Sequence, residues 1–298
     1  MIASLRRTML FVPGNNPALV KDPDVYGPDS IIFDLEDSVA PTEKDAARLL
    51  VYSALSSVDY GGTERVVRIN GLDTPWFRED VRAMVRAGIE VVRLPKTESA
   101  EDIRSIERLV EAEEKAAGRA PGSVRLMAAL ESPLAVINAY EIATASKRLV
   151  AIALSAEDFV TSMKTSRSSE GVELFEARGR IVIAARAAGV MAIDTVYSDV
   201  ADEEGFLREV RLVKQMGFDG KSVINPAQIP VVHAAYAPTA EELRRARRVV
   251  AAAADAEAKG LGVLALDGKM IDKPIVERAR RVVDLARASG MKFEEETR

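Results

Sequence analysis

Two acids stand out among the residues that could do chemistry. Glu131 closes the run AALESP at Ala128 to Pro133, and Asp158 closes ALSAEDF at Ala153 to Phe159. Each run is apolar and strand-like and ends abruptly in a carboxylate. The two lie about one βα unit apart, roughly 30 residues. Either acid alone would serve as an ordinary cap on the helix that follows. At the same end of neighbouring parallel strands, together they make a hard-oxygen site, which suits Mg²⁺ better than Zn²⁺. An earlier run, VVRIN, places Arg68 at its end. A divalent cation beside an arginine at a strand-end mouth can grip an anionic oxo-acid.

Other charged residues crowd the same positions. The second strand-like run ends in Asp34, Glu36 and Asp37. Side chains alternate along a strand, so Asp34 and Glu36 should share one face and Asp37 take the other. Buried without partners they would be costly, so they should meet cations, water or backbone donors. Asp37 with Ser38 is a candidate cap for the next helix. Arg68 and Asn70 should share a face of the third run, and an ion pair from Arg68 to the second-run acids is compatible with function. Lys96 ends the fourth run in LPKTES. A buried barrel lysine can form a Schiff base, but beside two metal-type acids a charge-balancing role is favoured. His233, the sole histidine, lies past the last strand-like run and reads as a surface helix residue. Histidine catalysis and multi-histidine metal sites are thereby excluded. Trp76 reads as core packing. Asp272, two residues before Pro274, reads as a helix N-cap.

These residues need a scaffold. Eight short runs rich in Val, Ile and Leu begin at Thr8, Ser30, Glu64, Glu90, Val124, Leu149, Ala192 and Gly220. Near-continuous apolar runs suit strands buried on both faces. Helical patterns fill the gaps, among them Ile103, Ile106, Leu109 and Val110. Ser99 with Asp102 and Thr239 with Glu242 read as capping boxes. Eightfold strand–helix alternation predicts a TIM (β/α)₈ barrel over residues 1–237. A doubly wound open sheet is the runner-up, disfavoured by the count and by the lack of a Gly-rich dinucleotide loop. Residues 238–298 form a C-terminal helical extension, expected to pack on a neighbouring subunit. It comprises a helix from Glu241 to Lys259, a short turn with Gly260, Gly262 and Gly268, and a helix from Lys273 to Ser289.

Composition sets outer limits. The 298 residues are 48% hydrophobic and 29% charged, with a net charge of −5. That charge gives no general pull toward nucleic acid or anionic membrane. Cysteine is absent, which excludes disulfides, zinc thiolates and thiol nucleophiles. The start, MIASLRRTML, lacks the apolar core of a signal peptide, and no apolar run reaches the ~18 residues of a membrane span. A cytoplasmic enzyme is the expectation.

The motifs RRTMLFVPG, FDLEDSVAPTEKDAAR, VVRING, VVRLPKTES, ALESPLAV, ALSAEDF, DTVYSD, GFDGKSVINPAQI, YAPT and GKMID run from about Arg6 to Arg280. Together they resemble the citrate lyase β-chain branch of the HpcH/HpaI aldolase superfamily. The resemblance implies a TIM barrel with Mg²⁺ on Glu131 and Asp158 and with Arg68 on substrate oxygens. It also implies cleavage of a citryl thioester to oxaloacetate and an acetyl thioester, beside a CoA-transferase α chain and an acyl carrier γ chain. Asp272 would reach over a neighbour's active site in a homo-oligomer. A carboxylate must move protons, and Asp37, Glu36 and Asp272 are the candidates. Asn15 and Asn16, in VPGNN, could receive part of the carrier arm. The alternatives are a malyl-CoA or citramalyl-CoA lyase of the same superfamily, and a structural subunit without activity.

Overall fold

The computed structural model describes residues 5–258, 264–266 and 269–291. The eight apolar runs become β1 (Thr8–Pro13), β2 (Ser30–Asp34), β3 (Glu64–Arg68), β4 (Val91–Leu94), β5 (Arg125–Leu130), β6 (Leu149–Leu154), β7 (Met191–Asp194) and β8 (Gly220–Val223). All neighbours pair in parallel and in chain order, and β8 closes on β1 with Met9 opposite Ser222. Closure excludes the open-sheet alternative. The result is a (β/α)₈ barrel. Gly14, just past β1, donates its N–H to Asp34 O at 2.8 Å. A Cβ there would sit 2.6 Å from that oxygen, so only glycine lets β1 approach the end of β2 this closely.

The barrel interior explains which residues reach its mouth. Met9, Ile32, Val66, Val91, Met127, Ala151 and Ile193 form one apolar cluster, with one member or more from each of the first seven strands. Two residues further along each strand lies the same face, one layer nearer the C-terminal ends. Those positions are Phe11, Asp34, Arg68, Arg93, Ala129, Ala153 and Thr195. On β2, β3 and β4 apolar filling therefore gives way to charge within one layer. Register puts Asp34 beside Arg68 and Arg68 beside Arg93.

The opposite face of β7 and β8 points at the helices and is also charged. Lys221 Nζ meets Asp194 Oδ2 at 2.7 Å and Glu209 Oε1 at 2.6 Å, and Arg178 Nε meets Asp194 Oδ1 at 2.9 Å. Lys221 Nζ also donates to Thr195 O at 2.8 Å, which ties the loop after β7 to β8.

The chain divides into two compact units, one of residues Arg6–Ala235 and one that holds the chain from Tyr236 onward. In the second unit the helices Ala240–Ala258 and Lys273–Ala288 share an apolar cluster of Ala246, Val249, Ile271 and Ala279. Thr239 and Glu242 form the expected reciprocal cap. The segment read as a short turn instead contains β9 (Leu264–Leu266) and β10 (Lys269–Ile271), paired antiparallel. Leu266 and Ile271 have apolar partners in that cluster, so pairing buries what a turn would expose. Gly260, Gly262 and Gly268 lie outside the described residues.

Candidate active site

Glu131 follows β5 directly and is 3% exposed. Neither of its carboxylate oxygens has a hydrogen-bond partner. Burial, then the charge of Glu36, pushes its carboxyl up to about 7. Two unpartnered oxygens on a buried acid are costly unless a cation completes them. Asp158 shares a cavity lining with Glu131. The matched strand-end contexts expected from sequence are not identical, however. β6 stops at Leu154, and Asp158 sits in the first turn of the helix Ala156–Ser162. Among the described residues no group of three His, Cys, Asp or Glu side chains could hold a metal. Two hard carboxylates with open coordination fit Mg²⁺, which keeps several non-protein ligands.

Asp158 also lines a second cavity of about 430 Å³, together with Phe11, Asp34, Asp37, Arg68, Arg93, Ser155 and Thr195. Here Arg68 is heavily engaged. Its Nε and Nη2 meet Asp34 Oδ1 and Oδ2 at 2.7 and 2.8 Å, a two-pronged pair. Its Nη1 lies 2.9 Å from Glu36 Oε2 and 3.5 Å from Asp37 Oδ2. Burial opposes the charge, but Asp34 foremost, then Glu36 and Asp37, hold the guanidinium well above its ordinary pKa. Asp34 also accepts from the N–H groups of Glu36 and Ser38 at 3.0 and 3.1 Å. Asp34, not Asp37, therefore caps this turn. The alternation expected for Asp34, Glu36 and Asp37 fails because β2 ends at Asp34. Beyond it the chain turns, and all three acids face Arg68.

Glu36 is held on both sides, by Arg68 and by Lys96 Nζ at 2.7 Å from Oε1. Lys96 thus balances charge, with φ at 49°, a left-handed turn uncommon for lysine. Lys44 supports the same loop by donating to Leu35 O and Glu36 O at 2.8 and 2.7 Å. The Trp76 ring lies 5.6 Å from that ammonium, so Trp76 packs under a cation rather than purely within the core. Asp37 is half exposed on the cavity wall and is the least engaged of the three acids.

Other expected residues lie elsewhere. Asn15 donates to Glu43 Oε2 at 2.5 Å and is not among the residues lining either cavity. Asn16 caps the helix Pro17–Val20. Asn70 turns away from Arg68, because β3 ends at Arg68, and its N–H and side chain both donate to the buried Asp80. Asp272 accepts from Ile275 N–H at 3.1 Å as the N-cap of its helix. His233 lies on the helix Gln228–Tyr236 but is partly buried rather than freely exposed. It hydrogen-bonds Thr8 Oγ1 at 2.9 Å, at the N-terminal end of the barrel, and burial lowers its pKa.

The residue that sequence reading missed is Arg93. It is 1% exposed, and its guanidinium lies 5.2 Å from the Phe11 ring, against 5.0 Å for Arg68. A signal existed: VVR occurs on both the third and fourth runs, so the two arginines match in strand position.

A (β/α)₈ barrel with acids and arginines massed at the C-terminal strand ends is an enzyme for an anionic substrate. Two hard carboxylates on one wall make it a barrel suited to a divalent cation. The chain belongs to the HpcH/HpaI aldolase/citrate lyase family, which it matches over residues 7–226, and it is a carbon–carbon lyase. It is 57% identical to the citrate lyase subunit beta of Leuconostoc mesenteroides subsp. cremoris, over 96% of this chain and 95% of that one. A CitE protein of Mycobacterium tuberculosis solved with magnesium, acetoacetate and coenzyme A is 32% identical with a TM-score of 0.75, covering 97% and 100% of the two chains. A citrate lyase beta subunit of the same organism, complexed with oxaloacetate and magnesium, is also 32% identical, with a TM-score of 0.67 over 79% and 98%.

Proposed function

We propose that this chain is the lyase subunit of a citrate lyase, cleaving a citryl thioester to oxaloacetate and an acetyl thioester. One observation carries the reading: the buried, unpartnered carboxylate of Glu131 shares a cavity with Asp158, which also lines the adjoining cavity that holds Arg68 and Arg93. A non-catalytic scaffold has no need of such a costly group. Glu131 and Asp158 would hold Mg²⁺. Held there, a divalent cation would supply Lewis-acid polarisation of a substrate alcohol that stands beside a carboxylate.

Cleavage removes the proton of the tertiary hydroxyl. The C–O bond becomes a ketone, the C–C bond breaks, and its electron pair moves onto the thioester α-carbon as an enolate. Protonation of that carbon gives the acetyl thioester. Arg68, fixed by Asp34 and Glu36, directs positive charge at the thioester oxygen as the enolate forms. Asp37, half exposed on the cavity wall, is the carboxylate of this barrel best suited to move protons. Glu36, held by two cations, positions Arg68. Asp272 of an adjacent subunit is the second proton-moving candidate. Asn15 belongs to the outer loops that could meet the carrier arm.

The family resemblance supplies the partners of this reading: a CoA-transferase α chain and an acyl carrier γ chain, with copies of this chain in a homo-oligomer. A cytoplasmic setting is part of this proposal. Among the described residues no helix is long and apolar enough to cross a membrane. The test is oxo-acid release from citryl-, malyl- and citramalyl-CoA with Mg²⁺. Citryl-CoA should be cleaved best. A preference for malyl- or citramalyl-CoA would assign the alternative lyase, and no release from any would leave the structural subunit.

A further inference from the structure

Arg93 is the one guanidinium of the cavity with donors to offer. Arg68 has its Nε and Nη2 on Asp34 and its Nη1 on Glu36. Arg93, inward-facing on β4, has no ion pair among the described residues. Its Nε and Nη1 have no hydrogen-bond partner, and its Nη2 reaches only Ser155 Oγ, at 3.3 Å. Phe11 covers one face of it. The acids around it are committed: Asp34 to Arg68, and Glu36 to Arg68 and Lys96. Glu131 is assigned to the metal. A buried guanidinium without an anion is costly, and this one opens onto the cavity that also holds Arg68, Asp158 and Ser155.

The substrate supplies an anion of the right shape. A citryl thioester carries two carboxylates. One sits on the carbinol carbon beside the hydroxyl, where Glu131 and Asp158 would hold the metal. The other ends a CH₂ arm and needs a separate cation. A citramalyl thioester has a methyl group in place of that arm and is otherwise the same. We propose that Arg93, with Ser155, binds the arm carboxylate of the citryl group and so determines the preference for citryl over citramalyl thioesters. This rests on the citryl reading above and names the residue that enforces it. Arginine presents a planar fork that matches a carboxylate.

The test compares the full chain with its Arg93→Met and Arg93→Lys variants, on citryl-CoA and citramalyl-CoA with Mg²⁺. Arg93→Met should lose at least about a hundredfold in kcat/KM on citryl-CoA but under about fivefold on citramalyl-CoA, as when a polar site loses its partner group. Arg93→Lys should fall between. Oxaloacetate should bind the Met variant more weakly than the parent by calorimetry, and pyruvate equally well. Without ligand, Arg93→Met should melt no lower than the parent, since it removes a buried unpaired cation. Equal losses on both thioesters, or equal losses for oxaloacetate and pyruvate, would overturn the assignment. If Arg93→Met does not fold, the ratio of the two thioesters in Arg93→Lys decides alone. If the parent releases no oxo-acid from citryl-CoA, the functional reading fails instead. The oxaloacetate-to-pyruvate affinity ratio then still judges Arg93.

Discussion

Arg68 shows how much a residue's role depends on what it already holds. Its forked edge is on Asp34, so in the proposed mechanism it would act on a substrate from a fixed position rather than by closing a fork around it. Lysine cannot hold both oxygens of Asp34 and reach Glu36 as well. Arg68→Lys should therefore lose at least about 2 kcal/mol of transition-state stabilisation, the scale of one lost oxyanion donor. A near-normal kcat/KM in that variant would show that charge alone suffices. Glu131 makes a different prediction, because it lacks a protein partner. Mg²⁺ at about a hundred times its Kd should stabilise the wild type by about 2.7 kcal/mol, seen as a rise in Tm. Glu131→Ala should show no such rise, should lose turnover, and should fold. Full turnover of that variant in EDTA would count against the metal site.

At the level of elements, charged anchors set how helices and loops meet the barrel. Glu114, 1% exposed on the helix Ala100–Ala116, accepts from Arg148 Nη1 and Nη2 at 2.9 and 2.8 Å. It also accepts from the N–H groups of Gly122 and Val124 at 3.0 and 2.8 Å. Burial works against its ionisation, but Arg148 and the two backbone donors outweigh that and hold it at about 2. A carboxyl whose folded pKa lies below its unfolded value, near 4.5, adds stability that is complete above the unfolded pKa. That stability is lost as the pH falls from there toward the folded value. Urea unfolding from about pH 6 to about pH 2.5 should show the wild type weakening below about pH 4.5. Glu114→Gln should be less stable at the upper end of that range and show a shallower fall. Parallel curves would mean that this anchor contributes nothing to acid sensitivity. Helix caps were the most legible feature at this scale. The Ser99–Asp102 and Thr239–Glu242 boxes both form, because a cap is a contact over three residues and needs no knowledge of the rest of the chain.

At the level of the whole molecule, the unit from Tyr236 onward carries one testable acid. Asp272 caps its helix within that unit. If the cap is its only role, Asp272→Ala should cost about 1 kcal/mol of stability and leave the rate nearly unchanged. If it serves a neighbouring barrel, turnover should fall by orders of magnitude at nearly the same Tm. Co-refolding inactive Asp272→Ala with inactive Glu131→Ala chains separates the two. Hybrids that regain activity support sharing across subunits, and verified hybrids without activity reject it. The eight strands, their order and the barrel could all be read from the chain alone. Apolar runs and periodicity are local properties that each segment carries with it. Only the folded barrel decided which charges meet. The ends of β2 and β3 turn the chain, so Asp37 faces Arg68 and Asn70 faces Asp80. Barrel packing sets His233 beside Thr8, at the end of the barrel away from the mouth. Strand register puts residues 34, 68 and 93 in one row, where Asp34 can hold one arginine and leave the other unpaired. Partnership of that kind depends on register between strands distant in sequence, and no single segment encodes it.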